Sequence, residues 1–244
     1  MFPDFHLLGE TIFVYPLILG AIYACSFQLS KYLIQQSKMD LAYFNYYFIV
    51  TSLCMWAGAK ALFLITLDHE ISKKIISSSN FWLGGGLVFY GGAIGAVIST
   101  WIYTKVFKLK ISKFAFLLPI LALGHSAGRV ACFMAGCCYG TACDLPWAIY
   151  LHGVSRHPVQ LYESVCLLIL GIILLRRYFR NKSVLAVYFI GYAFIRFILE
   201  FFRGDKIRGL YFDLLSTSQI ISLIILACWG IYQLKCAMCS KSRH

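Results

Sequence analysis

The apolar positions of this chain come in long unbroken runs rather than at the spacing of a surface helix or a half-buried strand. A membrane span needs about 20 apolar residues. Seven runs qualify, roughly 12–34, 41–66, 81–104, 114–136, 159–175, 184–202 and 214–234. Short polar segments part them, none long enough to link separate domains, and no internal repeat or low-complexity stretch is present. The pattern predicts an all-α fold. It is a single integral membrane domain over residues 1–244, a polytopic bundle of about seven transmembrane helices.

The polar segments alternate in charge. Those after the first, third, fifth and seventh runs are predominantly basic (Lys31 and Lys38, with Asp40 the one acid; Lys105, Lys108, Lys110 and Lys113; Arg176, Arg177, Arg180 and Lys182; Lys235, Lys241 and Arg243). The others mix signs, as in Asp68, Glu70, Lys73 and Lys74, or Arg203, Asp205, Lys206, Arg208 and Asp213. Basic loops stay cytoplasmic, so the expectation is an N-terminus outside and a C-terminus in the cytoplasm. An odd number of spans agrees with both ends.

Composition supports the same class. Hydrophobic residues make up 60% of the chain and charged ones 13%, about half of what a soluble domain carries. The net charge of +12 lies in clusters between apolar runs, so orientation explains it and no nucleic-acid partner is inferred. The N-terminal MFPDFHLLGE has no Lys or Arg and no cleavage signal, and the first run is expected to be retained.

Polar residues inside the runs share one depth. At 1.5 Å of rise per residue, Arg129 in the fourth run lies roughly 10 Å below the outer face and Arg196 in the sixth at about the same level. Tyr90 falls at roughly 13 Å and Tyr15 at about 5 Å, with Lys60, Tyr162 and Glu163 in the same layer. The inner half is almost free of ionisable groups, which argues against a transport path. Arg196, Glu200 and Arg203 in RFILEFFR share one helix face, and an Arg196–Glu200 ion pair is expected. Arg129 has no acid one turn away on its own helix. Two arginines converging in the outer leaflet suit a phosphate, because the guanidinium fork pairs bidentately with phosphate oxygens. In RHPVQLYE, Pro158, Gln160 and Glu163 suit a helix start, and His157 could instead meet a headgroup or carry a proton.

Ten cysteines are present. Cys25, Cys54, Cys166 and Cys228 sit alone in apolar runs, and Cys236 and Cys239 form a lone CxxC. Cys132, Cys137, Cys138 and Cys143 cluster around the exit of the fourth run. Their C-x4-C-C-x4-C spacing is not that of a zinc site. Gly91 and Gly95 form a GxxxG in a third run that also holds Gly84, Gly85, Gly86 and Gly92, with close helix packing or an exposed backbone as the two readings.

Several motifs together resemble one family. GRVACFMAGCCYG at 128–140, LPW at 145–147, RHPVQLYE at 156–163, GYAFIRFILEFFRGD at 191–205 and LSTSQ at 215–219 are similar to prolipoprotein diacylglyceryl transferase, as are FYGG at 89–92 and VYPL near Tyr15. The resemblance implies transfer of the diacylglyceryl group of phosphatidylglycerol to the lipobox cysteine thiol of a preprolipoprotein. The setting implied is the bacterial cytoplasmic (inner) membrane, with no metal or organic cofactor. It places Arg129 and Arg196 as the essential arginines and Glu200 as the paired acid. Tyr15 is the first-span tyrosine and Gly140 the signature glycine; His157, from its place at the outer interface, and Arg203, from the shared face of RFILEFFR, are expected beside the substrate. The chain departs from the family's G-R-x-G-N-F-x-N-G-E-x-x-G at Cys132, Ala135 and Cys137. It also carries Tyr90 where the family has the histidine assigned as base, and a phenol of pKa about 10 is a poor base at neutral pH.

Two alternatives stay open. One keeps the fold but uses thiol chemistry at Cys132, Cys137 and Cys138, through a covalent Cys137 intermediate or thiol–disulfide exchange. The other is a non-catalytic protein that binds membrane lipids.

Overall fold

Many large apolar side chains are exposed and several polar ones are buried in the computed structural model, which describes residues 4–7, 10–37, 43–67, 69–77, 81, 88–204, 210–211 and 215–241. Leu17, Val97 and Trp101 are more than half exposed, whereas Gln160, Glu163, Glu200 and Ser126 are buried. Water would penalise that arrangement; hydrocarbon favours it, because buried polar groups there must pair within the protein.

The helices are α1 (Val14–Gln36), α2 (Phe44–Ile65), α3 (His69–Ile76), α4 (Phe89–Val106), α5 (Leu117–Met134), α6 (Val159–Phe179), α7 (Leu185–Leu199) and α8 (Thr217–Lys241). A 3₁₀ segment, Ile111–Phe116, leads into α5, and another, Glu200–Phe202, extends α7. Among the described residues, five segments are long and apolar enough to cross a membrane: Val14–Gln36, Phe44–Ile65, Ile111–Met134, Val159–Phe179 and Leu185–Phe202. They match the first, second, fourth, fifth and sixth apolar runs. The third run is represented by α4, with Gly84, Gly85 and Gly86 outside the described residues, and the seventh by α8, apolar over Thr217–Ile231. Asp205, Lys206, Arg208 and Asp213, and the side chains of Cys236 and Cys239, likewise fall outside the described residues.

The protein is mostly helical, and multi-pass membrane insertion follows from these segments. It is not all helix. Three two-stranded antiparallel hairpins, β1–β2 (Asp4–Leu7, Glu10–Phe13), β3–β4 (Ile149–Leu151, Val154–Arg156) and β5–β6 (Leu210–Tyr211, Leu215–Ser216), accompany the helices. β3 and β4 are joined by His152 (φ 52°) and Gly153 (φ 80°), and two left-handed residues in a two-residue loop match the strand twist.

The chain forms two compact units. The first contains residues 1–37 and 115–244; in it α1 packs on α5, α5 on α6, α6 on α7 and α7 on α8. Its core is Ala122, Leu167, Leu170, Leu174, Val184 and Tyr188. Ser126 Oγ donates to the Ser164 carbonyl at 2.7 Å and Ser164 Oγ to the Ser126 carbonyl at 2.9 Å, a reciprocal pair that fixes the register of α5 against α6. Gly171 lets the two helices close: a Cβ there would lie 2.6 Å from Leu123.

The second unit, residues 38–114, is built on α2 and α4. Gly91 and Gly95 of α4 are where a Cβ would run into the backbone carbonyls of Gly58 and Cys54 on α2, so the GxxxG is a packing seam. Lys60 is buried beside it; its Nζ donates to the Phe81 carbonyl and lies 4.3 Å from the Phe81 ring centroid.

Gly95→Leu forces α2 and α4 apart, and overpacking of this kind costs about 1–3 kcal/mol or more. Thermal unfolding in detergent will show a lower midpoint for Gly95→Leu than for Gly20→Leu, because a Cβ at Gly20 meets nothing within 4 Å. Equal midpoints would contradict the seam.

Candidate active site

The polar layer of the first unit centres on one carboxylate. Glu163 projects from the second turn of α6 with its side chain 2% exposed. Its Oε1 lies 3.0 Å from Arg129 Nη2 of α5, and its Oε2 lies 3.6 Å from Arg196 Nη1 of α7. Arg196 Nη2 reaches Glu200 Oε2 at 2.8 Å, the i,i+4 pair expected from RFILEFFR, and donates to Ser218 Oγ at 3.3 Å. His125 Nε2 stands 3.7 Å from Glu163 Oε1. The two arginines therefore meet at one depth, joined through an acid on the helix between them. Arg129 takes its partner from the next helix, which spacing along its own helix could not reveal.

This corrects the helix-start reading of RHPVQLYE. No side chain caps α6, whose N-cap is Pro158 itself. Glu163 turns inward to the arginines, because two buried cations reward a carboxylate far more than backbone N–H groups do. Gln160, also buried, donates from Nε2 to the Cys137 carbonyl at 2.6 Å.

Two arginine donors keep capacity to spare. Arg129 Nε is buried and makes no hydrogen bond among the described residues, and Arg196 Nη1, also buried, has the 3.6 Å ionic contact with Glu163 Oε2 but no hydrogen bond. Buried donors of this kind normally find an acceptor. Arg203 brings positive charge to the thiol side of the site, where it acts on Cys138.

The exit of α5 folds back on itself. Ala135 is its C-cap; Gly136 follows at φ 70°. Gly136 N donates to the Phe133 carbonyl at 3.1 Å and Cys137 N to the Cys132 carbonyl at 3.2 Å, the paired 5→2 and 6→1 bonds of a Schellman turn. Cys138 is again left-handed at φ 57°. The reversal brings the Sγ atoms of Cys132, Cys137 and Cys138 within 4.8 Å of one another. Hydrogen bonds from Cys132 and Cys137, reinforced by Arg129 and Arg203, hold the Cys138 thiol well below the usual range; Cys137, sharing protons with its neighbours, is pushed up. Tyr15, at the start of α1 and partly exposed, acts electrostatically with the three thiols and Arg129. Cys143 is not part of the trio.

Beyond the thiols, residues 139–143 run as an extra strand. Gly140 N donates to the His157 carbonyl at 3.1 Å, Cys143 N to the Ser155 carbonyl at 3.0 Å and Gly204 N to the Tyr139 carbonyl at 3.1 Å. Gly140 is pressed between both neighbours. A Cβ there would lie 2.6 Å from His157 Cβ. Arg156 stacks 4.6 Å over Tyr139 and donates from Nε to the Leu151 carbonyl at 3.2 Å. His157 Nδ1 lies 3.4 Å from the Tyr162 hydroxyl, with Phe202 edge-on at 5.3 Å, so it sits among aromatics. LSTSQ is a capping box. Ser216 N donates to Gln219 Oε1 at 2.9 Å and Gln219 N to Ser216 Oγ at 3.3 Å, which starts α8 where Ser218 meets Arg196. The S-x-x-Q spacing was the available signal. Tyr90 belongs to the second unit, at the start of α4, and is exposed.

Removing the central carboxylate tests this geometry. Glu163→Gln leaves Arg129 buried without its counter-charge, and breaking a buried pair costs about 3–5 kcal/mol. A clearly lower unfolding midpoint in detergent is the predicted result, with Glu163→Asp intermediate; an unchanged midpoint for Glu163→Gln contradicts it.

Known proteins are similar to this chain in sequence. The family profile described as prolipoprotein diacylglyceryl transferase matches residues 4–234. A phosphatidylglycerol–prolipoprotein diacylglyceryl transferase of Finegoldia magna is 34% identical over 198 aligned positions, 76% of this chain and 78% of the relative. One of Clostridium tetani is 37% identical over 179 positions, 68% and 70% of the two chains. One of Campylobacter lari is 27% identical over 238 positions, 91% and 88% of the two chains. With the match running from the first hairpin into the last helix, the chain belongs to the prolipoprotein diacylglyceryl transferase family.

Proposed function

We propose that this protein transfers the diacylglyceryl group of phosphatidylglycerol to the lipobox cysteine thiol of a preprolipoprotein, at the outer leaflet of the bacterial cytoplasmic membrane. Seven spans with the N-terminus outside and the C-terminus in the cytoplasm complete the topology. One observation carries the reading: Arg129 and Arg196, from different helices, flank one buried carboxylate and keep buried donors without hydrogen bonds.

The lipid phosphate takes those donors, with Arg203 adding charge. The acceptor thiolate attacks the glycerol carbon that carries the phosphoester. A carbon–sulfur bond forms, the carbon–oxygen bond breaks, and glycerol phosphate leaves as charge grows on the oxygens held by Arg129 and Arg196. Glu200 and Glu163 hold the two guanidinium groups in place. Tyr15, Cys132 and Cys137 line the side nearest the thiols, Gly140 keeps the crossing strands tight, and His157 meets the headgroup from the aromatic cluster. Tyr90 is assigned to the site from the sequence.

A second reading keeps the fold and uses the thiols for disulfide exchange; the proximity of Cys132, Cys137 and Cys138 favours it. A lipid-transfer assay on membranes decides between them. Lipobox peptide will be modified in the presence of phosphatidylglycerol, and Arg129→Ala or Arg196→Ala will cut the rate by about 100-fold or more, the usual loss when an oxyanion donor is removed. Absence of transfer by folded protein across several anionic lipids rules the transferase out.

A further inference from the structure

Three thiols within 4.8 Å of one another form a ligand set that spacing alone did not suggest. Zinc motifs are usually recognised by two ligands a few residues apart. Here the Schellman turn does the same work over a longer interval. It points residue 137 back at residue 132, and the left-handed Cys138 swings the third sulfur into the group. A non-glycine residue at φ 57° is held there at a cost of about 1 kcal/mol or more. Zinc–sulfur bonds of about 2.3 Å require sulfurs roughly 3.8–4.0 Å apart. The observed spread needs a contraction of less than about 1 Å to meet that.

Charge and access agree. Three thiolates with a divalent ion carry one net negative charge, and Arg129 and Arg203 both act on Cys138 with positive charge. Cys137 is exposed, so one side of the trio is open. Three protein ligands with an open fourth position are the arrangement of a reactive zinc site rather than a closed structural one.

From this geometry we infer that Cys132, Cys137 and Cys138 bind a zinc ion whose fourth position takes the acceptor thiol. The second half rests on the transferase reading. Coordination removes the proton of a thiol outright, and that supplies the nucleophile in a chain whose Tyr90 is a poor base. The acceptor releases its proton to solvent on binding. Its sulfur then attacks the glycerol carbon, the carbon–oxygen bond breaks, and glycerol phosphate leaves; the zinc changes no oxidation state.

The test uses the full-length protein, reduced, in detergent or nanodiscs, and needs no turnover. Zinc titration followed by buffer exchange should retain about one ion per chain. It should slow iodoacetamide labelling of Cys132, Cys137 and Cys138 by about tenfold or more while Cys143 labels unchanged. Cys138→Ser should lose the ion and Cys143→Ser should keep it. Labelling of the wild type decides the matter even if a variant folds poorly. In the cobalt-substituted protein, a lipobox peptide with cysteine should shift the sulfur-to-metal absorption, and the same peptide with serine should not. Retention of no ion, equal labelling with and without zinc, or a disulfide within the trio in freshly isolated membranes overturns the metal site. A cobalt spectrum blind to the cysteine peptide overturns the fourth-ligand step and leaves the transferase reading to its own assay.

Discussion

Glu163 sets the terms for everything around it. A carboxylate at 2% exposure inside a membrane bundle is tolerable only against a cation, and it has two, Arg129 at 3.0 Å and Arg196 at 3.6 Å. The pair of contacts ties α5, α6 and α7 at one level. Sliding one helix by a single residue moves it about 1.5 Å along its axis and opens the ion pairs. Between membrane helices apolar contact gives little net drive, since lipid is equally apolar. Register must come from polar contacts, and the Ser126–Ser164 exchange and Glu163 supply it.

The same interaction creates the tension that the proposed reaction exploits. Stability asks the arginines to be paired; phosphate binding asks them to have donors left. Glu163 meets Arg129 Nη2 and, at 3.6 Å, Arg196 Nη1, and Glu200 holds Arg196 Nη2, while Arg129 Nε and Arg196 Nη1 make no hydrogen bond among the described residues. The acids thus orient the cations and leave them able to accept an anion. Gly140 and the strand around it add a close, rigid crossing between the exit of α5, the start of α6 and the end of α7.

Much of this was legible in the sequence because membrane helices obey simple rules. Long apolar runs marked the five described segments that are long enough to cross a membrane, 1.5 Å per residue put Arg129 and Arg196 level, and four-residue spacing paired Arg196 with Glu200. What stayed hidden depends on contacts between segments. Glu163 looked like a capping residue because its partners lie on other helices. The cysteines stand out as a cluster in the sequence, but their spacing hides a metal-ligand geometry that comes from two left-handed residues, Gly136 and Cys138, in a turn whose bonds no linear motif describes. The β3–β4 hairpin was missed because its His152–Gly153 turn is short and its strands have three residues each.

The central claim is that Arg129 and Arg196 act on one phosphate together. It is tested most directly by a double-mutant cycle on phosphatidylglycerol binding, measured in nanodiscs for the wild type, Arg129→Ala, Arg196→Ala and the double variant. A shared phosphate predicts a coupling energy of about 1 kcal/mol or more between the two sites. Losses that add within about 0.5 kcal/mol would contradict a common clamp.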